Sequence, residues 1–212
     1  MPAVTRHYDD PCGIARALDA VGERWSLLIV RELVFGPKRF SDLKRGLSGM
    51  SPNVLSQRLT ELERDGVLRR RAAGPPVSAV VYELTPVGRD LVPVLDALAR
   101  WGRQRPIRTP RPLSRDALMF ALQTTVRARA SVPAGLRLII DATAWDPAIT
   151  RGSLRWRPAG HATPTATLET SSTTLHRLVF RGLFLDDAVA AGEAATSGDL
   201  PLITAFLDAF DR

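Results

Sequence analysis

Apolar positions in the first half of the chain recur with helical period, and the interruptions between them carry capping residues. Gly13–Val21 puts Ile14, Leu18 and Val21 on one helical face. A second helix is expected over 25–34, dense in Leu27, Leu28, Ile29, Val30 and Leu33, and so apolar a segment belongs in the core. Gly36-Pro37 ends it, one residue tolerating left-handed geometry and the next unable to continue a helix. Ser41 is placed to cap a short third helix at 42–45, closed by Gly46. Ser51-Pro52 opens a fourth over 51–65, with Ser51 as cap and proline where its missing N–H costs nothing. Leu55, Leu59 and Leu62 must face inward on it. Asn53, Gln57, Thr60 and Arg64 then point outward, with Ser56 on the flank and Arg58 nearer the core edge.

Asp65-Gly66 ends that helix. The runs 67–71 and Val80–Leu84 read as two short strands around a Gly74-Pro75-Pro76 loop, a hairpin bearing Arg69, Arg70 and Arg71. Thr85-Pro86 opens a long helix to about Arg103, mildly kinked at Pro93. Its stripe of Val87, Leu91, Val94, Leu95, Leu98 and Trp101 fits either a helix-helix dimer seam or packing on the chain's own first helices. Leu91, Leu95, Leu98 and Trp101 are the candidate seam residues, because two-fold operators call for two-fold proteins.

A helix, a turn and a second helix with a polar outward face is the shape that enters a DNA major groove. Short amide and hydroxyl side chains near its start can reach base edges, and a basic hairpin beside it can lie on phosphates. Charge is consistent with such a partner. The net charge is +7, of which +5 (17 basic, 12 acidic) falls in residues 1–105 and +2 (12 basic, 10 acidic) in 106–212. A chain of 212 residues accommodates two small domains. The expected division is 1–102, a Pro- and Arg-rich linker at 103–112, and 113–212. No long apolar run suggests membrane insertion and no secretory signal is visible, so a cytoplasmic location is expected. The single cysteine, Cys12, rules out an internal disulfide and a cysteine-built metal site.

The second half changes character. A helix over 114–129 has Leu118, Ala121, Leu122 and Val126 inward. Strands are expected at 136–142, 153–157 and Ala166–Thr170, helices at 173–181, 186–191 and 200–211, and a short edge strand in GEAATSGD. This is an α+β pattern. The histidines His7, His161 and His176 are not spaced with Cys or acidic residues as metal ligands, and neither a phosphate-cradling loop nor a nucleophile elbow is present. No catalytic residue, metal or cofactor is therefore expected, and the chain is not read as an enzyme.

The stretch from Cys12 to Gly102 resembles the HxlR-type winged helix-turn-helix regulators. The likeness is carried by Cys12 ahead of Leu18, Gly22 and Trp25, Arg39-Phe40, Leu55-Ser56-Gln57-Arg58-Leu59 and Tyr82-Glu83-Leu84-Thr85. It departs in GPPVSAVVYEL, where the family more often has Pro-x-x-Val-x-Tyr. The resemblance implies a homodimeric repressor or activator on double-stranded DNA with a palindromic operator. Carried onto this chain, it makes Arg39, Ser51, Asn53, Ser56, Gln57, Arg58, Thr60 and Arg69–Arg71 the candidate DNA-contacting residues. It also implies a redox-sensing role for Cys12. The residues themselves favour a small buried side chain at a helix start, since Asp9 and Asp10 oppose a reactive thiolate.

Residues after 160 resemble sterol-carrier-protein-like domains through Thr170, Gly182, Gly192, Gly198 and Asp199. That likeness implies an apolar small-molecule effector, held by Phe180, Phe184, Leu202 and Phe206, or else those residues form an ordinary packed core. Together these expectations describe a winged helix-turn-helix with a long dimerisation helix, followed by a sterol-carrier-like α+β domain. The alternative is a lipid or small-molecule carrier whose helix-turn-helix makes protein contacts.

Overall fold

The computed structural model describes residues 7–74, 79–106 and 111–211. Two compact units divide the chain, 1–104 and 105–212.

The first unit runs α1 (Gly13–Val21), α2 (Ser26–Leu33), β1 (Lys38–Arg39), α3 (Phe40–Gly46), α4 (Pro52–Arg64), β2 (Leu68–Ala72), β3 (Val80–Leu84), α5 (Pro86–Arg89) and α6 (Val92–Gly102). α2 is central, as its composition requires: Ile29, Val30 and Leu33 are fully buried beside Leu43, Leu55, Leu59, Leu62 and Leu68. The same helix also buries Glu32, paired with Arg31 at 2.7 Å and Lys38 at 3.7 Å. The strands form an antiparallel sheet in the order β1-β3-β2. β1 is a two-residue strand that the sequence pattern does not announce. The Gly74-Pro75-Pro76 loop falls partly outside the described residues.

Three expectations need correction here. α3 starts at Phe40, with Arg39 at its N-cap position and no side-chain cap bond, so Ser41 lies inside the first turn. The long helix from Pro86 is two helices. Thr85 caps the first, accepting from the Gly88 N–H at 3.1 Å, and the chain restarts at Val92 with Pro93 in the opening turn. Proline fits a first turn, where its N–H would have no partner, so it begins a helix here instead of kinking one. Gly88 is required by packing: a Cβ there would stand 2.0 Å from the Val67 carbonyl oxygen. Finally, the apolar face of α1 is not buried within the unit. Val21 and Ala15 are inward, whereas Ile14 is 75% exposed and Leu18 is exposed too.

The second unit runs α7 (Arg115–Thr125), β4 (Leu136–Ile140), β5 (Thr143–Trp145), β6 (Ala148–Thr150), β7 (Ser153–Arg155), β8 (Ala166–Thr170), α8 (Ser172–Phe180), α9 (Leu185–Ala190), β9 (Ala194–Gly198) and α10 (Leu200–Leu207). Its main sheet is ordered β5-β4-β8-β9, with β4 and β8 parallel and the other pairs antiparallel. β9 is an edge strand, as GEAATSGD suggests. β5 and β6 are strands of three residues each that the sequence pattern does not announce. Leu136, Leu138 and Ile140 alternate inward on β4, and Leu168 joins them from β8. α7 is shorter than expected, ending at Thr125, and it is buried on more than one face. Trp156 packs edge-on to Trp145 and to Phe206, each at 6.4 Å between ring centres, and Phe206 packs on Phe210 at 5.2 Å. Among the described residues, no helix is long and apolar enough to cross a membrane.

Candidate nucleic-acid interface

α4 is built by local rules. The Ser51 hydroxyl accepts from the Val54 N–H at 3.3 Å, Pro52 opens the helix, and Gly66 leaves it at φ +72. Leu55, Leu59 and Leu62 anchor it inward. What remains outside is the expected set: Ser51, Asn53, Ser56, Gln57, Thr60 and Arg64 are all exposed. Such a helix presents donors and acceptors from one rigid face, the arrangement that reads base edges.

Two members of that face are occupied. Gln57 Nε2 donates to Glu61 Oε1 at 3.0 Å, and the Thr60 hydroxyl donates to the Ser56 carbonyl at 3.1 Å. Gln57 must leave Glu61 to reach a base. Arg58 departs further from its assignment. Its side chain is only 15% exposed, held by Glu23 at 3.1 Å and by Glu61. It is placed to brace α4 against the turn after α1 rather than to lie on a phosphate.

The hairpin positions its arginines by strand alternation. Arg69 and Arg71 share one face, where both meet Glu83 of β3, Arg69 Nη2 at 2.7 Å and Arg71 Nε at 2.9 Å. Arg70, on the other face, reaches Glu63 of α4 at 2.9 Å. Hydrogen bonds from Arg71 and then Arg69 hold the Glu83 carboxyl below the usual carboxylate range, against the opposing effect of burial. The sequence did not mark Glu63 or Glu83 as partners of these arginines: Glu83 is set opposite Arg69 by the β2–β3 register, and Glu63 meets Arg70 through the packing of α4 on β2. Arg39 is exposed at the start of α3. The structure thus brings Arg39 into the first unit's sheet and sets the wing root beside α4, with Arg70 joined to it through Glu63.

The other candidates scatter. Cys12 is exposed, not buried, and its Sγ accepts from the Ala15 N–H at 3.3 Å as the cap of α1. Of the seam residues, Leu95 is 6% exposed and belongs to the unit's own core, and Leu91 is half-buried. Leu98 is exposed and Trp101 is 59% exposed, with Val94 on the same side. In the second unit Leu202 and Phe206 are buried, Phe180 is half-buried, and Phe184 is 74% exposed before α9. An exposed Phe184 does not border an enclosed cavity with Phe206.

Known proteins match this chain in its first unit. The family model described as HxlR-like helix-turn-helix matches residues 20–108. The HTH-type transcriptional regulator YvaP of Bacillus subtilis is 37% identical over 89 residues, 42% of this chain and 82% of YvaP. YtcD of the same organism is 38% identical over 89 residues, 42% of this chain and 71% of YtcD. A crystal structure of ytcD superposes with a TM-score of 0.41 at 36% identity, over 44% of this chain and 95% of that one. These relatives are transcriptional regulators, and this chain belongs to the HxlR-like helix-turn-helix family.

Proposed function

We propose that the protein is a homodimeric transcriptional regulator that inserts α4 into the major groove and lays its arginine wing on the backbone. The observation that carries this reading is the exposed row Asn53, Ser56, Gln57 and Thr60 on a helix whose other face is locked into the core, with Arg69–Arg71 beside it. Phosphate contacts from the wing would position the helix, and the row would select sequence. Two copies would place two such helices about 34–36 Å apart, or a multiple of that, on a palindromic operator. The exposed apolar side chains of α6, Val94, Leu98 and Trp101, supply a surface for the second copy.

Within the same proposal, the second unit is a sterol-carrier-like accessory domain that takes an apolar effector. Support comes from two junctions that match the resemblance: Thr170 ends β8 and Ser171 caps α8, and Gly198 ends β9 before Asp199 caps α10.

A gel shift with the DNA upstream of the protein's own gene tests the central reading. Binding should weaken steeply with salt, as counterion release requires. Binding of fluorescent fatty-acid probes without any shift would favour the carrier alternative.

A further inference from the structure

His7 and Tyr8, α1, the turn after it and α4 line a cleft open to solvent of about 770 Å3, inside the ~300–1,000 Å3 range of small-molecule sites. Tyr8 and Leu18 give it an aromatic ring and an aliphatic wall, and Glu23, Gln57, Arg58 and Glu61 give it polar ones. Its charge is unbalanced. The carboxylates of Asp19, Glu23, Glu61 and Asp65 outnumber the basic side chains of Arg58, Arg64 and His7, whose imidazole stands 3.5 Å from Asp19. Both guanidinium groups are already engaged, Arg64 with Asp65 at 2.9 Å and Arg58 between Glu23 and Glu61. Surplus negative charge beside a ring and an aliphatic wall suits a cation with an apolar body. The charged end can lie among the carboxylates and against the ring, while the body rests on Leu18.

The cleft and the outward face of α4 share Gln57, whose amide is tied to Glu61 at 3.0 Å. The other oxygen of Glu61 is taken by Arg58. A cation drawn to Glu61 and Glu23 competes with Gln57 and Arg58 for the same oxygens. Its arrival therefore changes the positions Gln57 can offer to a base. We propose that this cleft is an effector site for a small organic cation with an apolar body, and that its occupancy is passed to DNA through Gln57. The proposal rests on α4 being the helix that reads bases. By linkage, a cation that changes DNA affinity must itself bind with changed affinity when DNA is present.

The test uses the full chain and two probes of similar shape and opposite charge, phenethylammonium and phenylacetate. Calorimetric titration without DNA should show saturable uptake of the cation and none of the anion. The Glu23→Gln, Glu61→Gln double variant should weaken uptake by about tenfold or more, as loss of a charge-assisted contact on that scale implies. Tyr8→Ala, which removes an exposed ring at the edge of the unit, should also weaken uptake and keeps the test valid if the double variant does not fold. Equal uptake of both probes, uptake unchanged in the variants, or no uptake of the cation would overturn the site. Gel shifts with and without the cation then read the coupling, and Gln57→Ala should abolish any difference; a difference that persists removes Gln57 from the path. Because the titration contains no DNA, failure of the site and failure of α4 to bind DNA are separate results.

Discussion

Arg69 and Glu83 are partners twice over: they face each other in the β2–β3 register, and Arg69 Nη2 stands 2.7 Å from Glu83 Oε1. Arg71 takes the other oxygen of the same carboxylate at 2.9 Å. One carboxylate thus holds two of the three hairpin arginines, while Glu63 holds Arg70. The exposed guanidinium groups contribute little to folding by these pairs, because water screens them. The pairs fix where positive charge is presented.

Glu83 is the more buried partner, at 11% exposure, and its folded carboxyl titrates below the usual range. The sign follows from linkage. Its stabilising effect is complete above the unfolded carboxylate value, about 4.3, and is lost as pH falls through the lower folded value. Glu83→Gln should therefore lower the thermal midpoint near neutral pH, and the gap to the parent protein should close on acidification. Melting curves of both proteins across that range check this; a gap that does not depend on pH would assign the loss to packing.

Base reading and phosphate contact should separate by mutation. Gln57→Ala is expected to relax preference at one position per half-site by about 1–3 kcal/mol. Arg70→Ala should weaken all sequences alike and reduce the salt slope by about 1. Affinities on a set of single-base operator variants at several salt concentrations measure both. If neither change moves affinity or footprint, α4 and the wing do not touch DNA.

The α6 stripe should split in the same manner under mutation. Leu95→Ala is expected to cost about 2–5 kcal/mol of stability, the range for emptying a buried leucine site, since Leu95 lies in the core. Trp101→Asp and Leu98→Asp, at exposed positions, should leave folding nearly unchanged and shift mass from dimer to monomer. Light scattering after gel filtration, alongside melting curves, distinguishes the two. A monomeric parent protein would remove the seam altogether.

Cys12 has a structural task that does not need redox chemistry. Its sulfur occupies the cap of α1, where serine serves as well or better. Cys12→Ser should preserve stability and Cys12→Ala should cost about 0.5–2 kcal/mol. The exposed thiol should also form a disulfide across two subunits on diamide treatment if it senses oxidants. A non-reducing gel without that species, and DNA binding unchanged by diamide, would leave the cap as its task.

Local physical chemistry made much of the first unit legible before any coordinates. The inward leucines of α4, its Ser51 cap, the exit at Gly66 and the strand Val80–Leu84 depend only on nearby residues, through helical period, capping and turn geometry. The outward row Asn53, Ser56, Gln57, Thr60 follows from the same period. Ion-pair partners depend on which distant segments meet, so only the tertiary structure assigned Glu83 to Arg69 and Arg71, Glu63 to Arg70, and Glu23 to Arg58. Periodicity marks a residue as apolar but not what it packs against. It could not separate Leu95, spent on the unit's own core, from Leu98 and Trp101 on its surface, nor show that Ile14 and Leu18 stay outside. The break before Val92 was hidden for the same kind of reason: proline is compatible with a kinked helix and with a new one, and only the structure shows the chain restarting at Val92 with Pro93 in the first turn.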